Sequence, residues 1–344
     1  MTDNRKRLGF FTRLLDDVGP VERYRLATEQ IIKAEEQGFD AAWVAQHHFS
    51  HDEGGLPSPF VFLSHVAART HSIRLGTGIV TLPLEAPLRV AEDAVVFDLL
   101  SGGRLELGVG SGGTPSSFTA FGLDSAQRGP IHGANLATVK AALAGSDVGG
   151  GNQLYPEGKS LLNRIWQATF SVEGGQRAGA AGDGLMLSRT QPRSKDNPHA
   201  TLAELQNPII DAYLAALPTG VEPRILASRT LFVADDRATA LEWADIGLRR
   251  VASKFAASGH VLNGDRLEDL IRNLDTHVGN VQDVIASLAE DTVLGRVSDI
   301  SFQVHSVDPP HALILRSLEL IASDVAPALG WRDKPTTPRI AIAR

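Results

Sequence analysis

The sequence, 344 residues long, contains no cysteine. Disulfides, thiolate metal sites and a cysteine nucleophile are thereby excluded. It also lacks a long apolar run, with no stretch approaching the roughly 20 residues that a membrane-spanning helix needs. Positive charge is in short supply: 33 Lys and Arg face 40 Asp and Glu, for a formal net charge of −7. That balance argues against nucleic acid or an anionic membrane as the main partner. The charged amino terminus, Met1 to Arg7, leads into only a short apolar segment. It does not read as a secretory signal, and a cytoplasmic location is expected. Internal repeats and linker-like segments are absent as well. What remains is an ordinary globular composition, 43% hydrophobic and 21% charged. The chain is long enough for one barrel or two smaller domains.

Strand and helix patterns alternate through the first half. Short apolar strands are expected at Arg7 to Phe11, Ala41 to Ala45, Ile73 to Leu82 and Arg104 to Val109. Helices with apolar residues at helical spacing fall between them, at Val21 to Gln37, Pro57 to Thr70 and Leu88 to Leu100. After a helix at Ala134 to Leu143, four more strands follow: Ile165 to Phe170, Gly184 to Leu187, Ile225 to Val233 and Asp299 to Val304. The helices expected there are Gly174 to Ala181, Leu202 to Leu217, Ala238 to Ala257, Val281 to Ala289 and Ala312 to Leu329. Such alternation implies parallel strands joined by right-handed crossovers. The best account is an α/β fold, a single (β/α)8 TIM barrel over residues 1–330. Excursions are expected near 145–160 and 258–280, and a loosely held tail over 331–344. A doubly wound sheet is the runner-up, but the first strand-to-helix turns lack a G-x-G-x-x-G fingerprint.

Four constellations fall at predicted strand ends, where a barrel gathers its catalytic groups. The first is Gln46-His47-His48-Phe49, where an apolar strand breaks into adjacent histidines. Histidine titrates near neutrality and can pass a proton or hydrogen-bond a reactive oxygen; the alternative for either ring is packing. The second is Gly76-Thr77-Gly78-Ile79, two glycines at alternate positions of a β-branched strand. They suit close approach by a flat ligand or another backbone, or a bulge at a barrel corner. The third is Gly108-Val109-Gly110-Ser111-Gly112-Gly113, a strand running into a glycine-rich turn able to line a ring edge or an anion. The fourth couples Ser171, Gly174 and Gly175 at a strand-to-helix junction with Ser188 and Arg189 at the next strand's end. Helix N-terminal amides there make a seat for phosphate, to which Arg189 adds positive charge, unless it forms a surface ion pair. By contrast, Asp98 to Arg104 reads as structure at the opposite, amino-terminal face. No H-E-x-x-H, G-x-S-x-G or Walker pattern occurs, and no metal site is expected.

At this point the chain resembles the bacterial luciferase-like family of flavin-dependent monooxygenases. The resemblance rests on Glu35-Glu36-Gln37-Gly38-Phe39-Asp40, Trp43, His47-His48-Phe49 and Leu75-Gly76-Thr77 through Leu82-Pro83. It continues through Pro87, Ala91-Glu92-Asp93, Asp98, Ser101, Gly103-Arg104, Gly108 and Phe121-Gly122, and more loosely through the second half. It implies a barrel that binds reduced FMN at its carboxyl-terminal face, with phosphate at Ser171 and the Gly174 and Gly175 amides. It further implies a non-prolyl cis peptide at Gly78-Ile79 under the flavin ring, flanked by Thr77, Gly110 and Ser111. His47 matches the family's catalytic histidine, with proton transfer and hydrogen bonding around the reacting flavin as its implied role. Gln46, Gly110 and Ser111 replace a glutamate, a cysteine and an arginine of luciferase itself. These changes argue against light emission from an aldehyde and leave the substrate open. The implied partners are a small organic substrate, O₂, a separate flavin reductase and a second copy of the chain docked through the second and third helices. Two other readings stay open: hydride transfer with deazaflavin or FMN on the same barrel, and flavin binding without catalysis.

Overall fold

The computed structural model describes residues 4–257, 261–304 and 309–334. The first helix forms as expected, as α1 (Pro20–Glu36). Pro20 sits in its first turn, and Gly38, at φ 75°, ends it in a left-handed conformation that costs glycine little. Its face of Leu26, Ala27, Ile31 and Ala34 is buried against the barrel wall. That amphipathic logic repeats in α2 (Pro59–Ala67), α3 (Pro87–Leu100), α5 (Arg128–Leu143), α6 (Val172–Ala180) and α7 (Leu202–Ala216). A short α4 (Pro115–Ala120) precedes α5 and was not expected.

The strands are β1 (Arg7–Thr12), β2 (Ala41–Val44), β3 (Arg74–Thr77), β4 (Val80–Thr81), β5 (Leu105–Gly110), β6 (Ile165–Ala168) and β7 (Gly184–Leu187). They continue as β8 (Ile225–Val233), β9 (Thr276–Gly279) and β10 (Asp299–Gln303). All named pairs are parallel, and β10 pairs with both β1 and β8, which closes the barrel. With β3 and β4 counted as one stave and β9 left outside, eight staves surround the lumen, the TIM barrel expected.

Two expectations need correction. The third strand, expected unbroken from Ile73 to Leu82, splits at Gly78. Gly76 pairs with Glu106 and Val80 with Val109, so four steps on one strand oppose three on the other. The extra residue makes a bulge. The second excursion starts earlier than residue 258 and holds a strand. α8 (Arg237–Ala257) does not descend the barrel side: Lys254 pairs with Glu53, and Arg250 lies 4.0 Å from Asp17. Both carboxylates sit on loops at the carboxyl end, so α8 crosses that rim. α9 (Leu267–Asn273) and β9 follow; β9 adds to the upper half of β8, and α10 (Val281–Glu290) packs back toward the barrel. Residues 258–260 lie outside the described ones.

The carboxyl-terminal segment is better anchored than expected. After α11 (His311–Leu320) and a π-turn over Ile321–Val325, Trp331 is buried and stacks on Phe302 at 6.2 Å. Lys6 donates its amide to the Trp331 carbonyl, and Arg332 donates to the Gly38 carbonyl. The remainder of the expected tail, 335–344, is outside the described residues.

One hydrophobic core lies between staves and helices, and a smaller one fills the lumen with Ala41, Trp43, Trp166, Met186 and Leu226. Trp43 and Trp166 meet edge to face at 5.7 Å. Below them Glu106 takes the Trp166 indole N–H and pairs with Arg74, while Arg7 pairs with Asp299. This polar plug seals the amino-terminal end. Asp98 and Arg104 belong to that face, as expected. Arg104 donates to four backbone carbonyls, of Ala67, Thr70, Ile73 and Ser101, and Asp98 pairs with Arg164.

Candidate active site

The carboxyl ends of β1, β2 and β7 bring Arg13, His47 and Arg189 into one cluster. His47 is held by its own amide, which donates to the Leu56 carbonyl at 3.0 Å. Its Nδ1 lies 3.4 Å from a Glu53 oxygen. Glu53 also receives Arg13 and Lys254, so its charge is shared among three partners. Burial, followed by the positive charge of Arg13, His48 and Arg189, pushes the His47 imidazole down to about 3. The ring is therefore neutral at any ordinary pH. A carboxylate facing Nδ1 favours the tautomer with its proton there and leaves the Nε2 lone pair open.

His48 has a different environment. Its ring packs edge-on against Phe121 at 5.0 Å and tilts against Phe49 at 5.8 Å. Its Nε2 is buried with no hydrogen-bond partner. Both histidines, with Gln46, Thr81, Gly112 and Phe118, line a narrow pocket at the rim. Phe49 is largely exposed and takes φ 59°, a left-handed conformation costly for a bulky side chain.

Above the tryptophan layer, the half-buried Phe11, Ile79 and Ala168 face the barrel mouth as an apolar floor. Gly78-Ile79 is a non-prolyl cis peptide, as the resemblance implied. Gly110 lies directly against this floor: a Cβ there would come within 2.6 Å of Ile79 Cδ1. Gln46 locks the bend, accepting the Thr81 amide at 2.7 Å and donating to Glu85 at 2.6 Å and to the Pro57 carbonyl. Thr77 is otherwise placed than expected. It is fully buried, and its hydroxyl bridges β3 to β5, donating to the Gly108 carbonyl at 2.7 Å and accepting the Gly108 amide at 2.9 Å. Thr77→Val should therefore destabilise the fold by about 1–3 kcal/mol for each buried group left unpaired. Thermal melting of the variant beside the wild type checks it.

The expected phosphate seat is only partly realised. Ser171 caps α6, and its hydroxyl accepts the Gly174 amide at 3.1 Å. The Gly175 amide donates to the Ser171 carbonyl at 3.1 Å. Both glycines are thus committed within the helix cap, and Gly175 owes its place to packing. A Cβ there would lie 2.5 Å from the Ile209 carbonyl oxygen of α7, and one at Gly179 would lie 2.2 Å from that of Tyr213. The helix start is itself occupied by the exposed Glu173 carboxylate, which accepts its own amide and the Ser171 hydroxyl, so an anion there would have to displace it. Ser188 closes a local turn with Thr190, at 3.1 Å from both the hydroxyl and the amide of that residue. Ser111 is half-buried at the end of β5. Arg189 is not a surface ion-pair former: it is buried and donates to Gln303 at 2.7 Å and Thr230 at 3.2 Å.

Several of these residues were missed in the sequence. Arg13 follows the same strand-end rule that exposed His47 and was findable. Glu53 and Lys254 come from a loop turn and a distant helix, with no local signal. His132 on α5 was also missed; it is buried, hydrogen-bonded by the Gly110 backbone and pushed down to about 4 by burial and Arg177. Among the described residues no cluster of metal-ligating side chains occurs.

A parallel barrel with an apolar floor, a neutral histidine and buried cations at its carboxyl mouth has the architecture of a barrel enzyme, whose active site gathers at that face. The chain belongs to the luciferase-like monooxygenase family, whose model matches residues 9–298. It is an oxidoreductase of this flavin-dependent class. It is 29% identical to the 4-hydroxyprotoasukamycin monooxygenase of Streptomyces nodosus subsp. asukaensis, over 89% of this chain and 90% of that one. In fold it is similar to the oxygenating constituent of 3,6-diketocamphane monooxygenase from Pseudomonas putida, solved with FMN, at TM-score 0.72 and 17% identity, covering 94% and 98% of the two chains. It is also similar to the coenzyme F420-dependent tetrahydromethanopterin reductase of Methanopyrus kandleri, at TM-score 0.67 and 16% identity, covering 94% and 99%. Solved chains of this fold thus include one bound to FMN and one dependent on coenzyme F420.

Proposed function

We propose that this protein is an FMN-dependent monooxygenase that takes reduced FMN from a separate reductase and oxidises a small organic substrate with O₂. The observation that carries the reading is the floor of Phe11, Ile79 and Ala168 set beside neutral His47 at the barrel mouth. An apolar surface bordered by polar groups suits a flat ring with one apolar face and a hydrogen-bonding edge. Gly110, where a side chain would collide with Ile79, keeps that surface clear. Thr77 then acts from below by holding the strand, while Gly78, Ile79, Gly110 and Ser111 would line the ring. Ser171 and the first amides of α6 would meet the phosphate, with Gly174 and Gly175 shaping the cap rather than donating to it. Bound FMN would supply the reducing electrons that O₂ chemistry needs. His47 would hold or move a proton at Nε2, and the apolar floor would keep water from the face of the ring that rests on it.

Val61 on α2 and Val96, Leu99 and Leu100 on α3 are exposed, and they support a homodimer through these two helices. Among the described residues no helix is long and apolar enough to cross a membrane. Titration of the purified protein with FMN, reduced FMN and deazaflavin, followed by oxygenation of a substrate panel, tests the proposal. Saturable binding of reduced FMN with substrate-dependent product formation is expected. Binding of deazaflavin in preference to FMN would replace oxygenation by hydride transfer, and binding of no flavin would end the reading.

A further inference from the structure

Arg189 is buried at the barrel mouth. Its partners, Gln303 and Thr230, are neutral, and no carboxylate among the described residues pairs with it. Thr230 lies on β8 two residues from Ser228 and four from Leu226, which is part of the lumen cluster, so all three point inward. Gln303 alternates in the same way with outward-facing Phe302. The guanidinium is therefore inside the barrel mouth rather than on the rim. Round the barrel from β1, the β3–β4 stave is third and β8 seventh of eight, so Ile79 and Thr230 face each other across the lumen. A flat ring lying on Ile79 would leave the space between itself and β8 for a second molecule.

The surrounding groups make that space positive. Arg13 and Lys254 both pair with Glu53, Arg189 adds a further buried charge near Arg13, and His47 is neutral. A buried cation with neutral partners is costly unless an anion completes it. The phosphate of FMN is not well placed to do so. Ser171 is exposed beyond the end of β6, whereas Arg189, at the end of β7, turns inward along the neighbouring β8 to reach β10. Nε and one Nη donate to Gln303 and Thr230, which leaves the second Nη to meet a ligand, and a planar fork matches a carboxylate well.

We propose that Arg189 receives the carboxylate of an organic acid, so that the oxidised substrate is a carboxylic acid whose apolar body rests toward Phe11 and the ring. This deepens the monooxygenase reading and rests on it for the word substrate, though not for binding. Benzoate and its neutral near-isostere benzamide are the probes, titrated by calorimetry into the protein without flavin and with FMN. The wild type is expected to bind benzoate at least about tenfold more tightly than benzamide. Arg189→Gln should weaken benzoate roughly tenfold or more and leave benzamide within about twofold, with Arg189→Lys retaining part of the preference. FMN affinity should be nearly the same in all three proteins. Equal binding of the two probes by the wild type, or binding of neither, overturns the proposal. So does an Arg189→Gln variant that loses affinity for FMN but not for riboflavin, because the charge would then serve the flavin phosphate. Should the glutamine variant not fold, the wild-type preference and the lysine variant carry the comparison. Failure of flavin to bind would end the monooxygenase reading and leave the benzoate result standing.

Discussion

Replacing His47 by glutamine is expected to lower substrate oxidation by roughly 10²- to 10⁴-fold, the range over which a positioned acid–base group contributes. The expectation follows from the three things that hold this ring. Its amide is tied to Leu56, its Nδ1 faces Glu53, and its imidazole is pushed down to about 3 by burial and neighbouring cations. Glutamine keeps polarity and much of the volume but has no basic nitrogen. FMN affinity should change little, since the floor under the ring belongs to Phe11, Ile79 and Ala168. The measurement is product formed and hydrogen peroxide released per reduced FMN consumed. Loss of product with matching peroxide release is expected, and unchanged product would move the role to His48 and its unpartnered Nε2.

The direction of the shift also fixes the pH dependence. A histidine held down to about 3 stays neutral above that value. Wild-type oxidation should therefore show no falling limb as pH drops through the ordinary histidine range near about 6.5. A limb there would mean that the ring meets solvent in the working enzyme. The folding linkage has the same sign. The unfolded chain takes up protons at this position below about 6.5, while the folded chain resists until about 3. Stability contributed by keeping His47 neutral is present above the unfolded value and is lost as pH falls toward the folded one.

The barrel was legible in the sequence because its signals are local. An apolar strand, a glycine-closed helix and a strand end carrying histidines are all properties of neighbouring residues, and His47 followed from them. Glycine was harder to interpret, since it permits several things. Gly174 and Gly175 suggested an anion seat, yet Gly175 and Gly179, four residues apart, lie on one helix face where α7 comes too close for a Cβ. That four-residue spacing is a signal of close helix packing that the sequence itself carries. Glu53 and Lys254 meet only because α8 crosses the rim, and the hydrophobic pattern does not say whether a helix descends the barrel or crosses it. Arg189 was seen, but its neutral surroundings are set by β8 and β10, more than 40 residues away in each case.

Arg229 illustrates the same limit and should give the largest loss of stability. It sits in β8 with no exposure, on the outward side opposite Thr230. Its Nε donates to Asp291 at 2.6 Å, and its other nitrogens donate to the Ser228 carbonyl at 2.8 Å and to Gln206 at 3.0 Å. One side chain thus joins the barrel wall to α7 and to the turn entering β10. Arg229→Met keeps much of the apolar stem but leaves Asp291 buried without its cation, and the expected cost is about 3–5 kcal/mol. Denaturant unfolding at neutral pH measures it, and a loss below about 1 kcal/mol would mean that water replaces the guanidinium. The pH dependence separates charge loss from packing loss. His277 has Nε2 4.0 Å from Asp291 and Nδ1 2.7 Å from the Ser287 hydroxyl. In the wild type it is held down to about 4, first by burial and then by Arg229, while Asp291 pulls it upward. Removing Arg229 leaves Asp291 as the charge that His277 feels most closely, so its imidazole should rise and take a proton at mildly acid pH. A His raised in the folded state adds stability below its unfolded value that is lost as pH rises. The deficit of Arg229→Met should accordingly be smaller near pH 5 than near pH 8, on the order of 1 kcal/mol. A deficit equal at both pH values would mean that packing, rather than the stranded Asp291 carboxylate, dominates the loss.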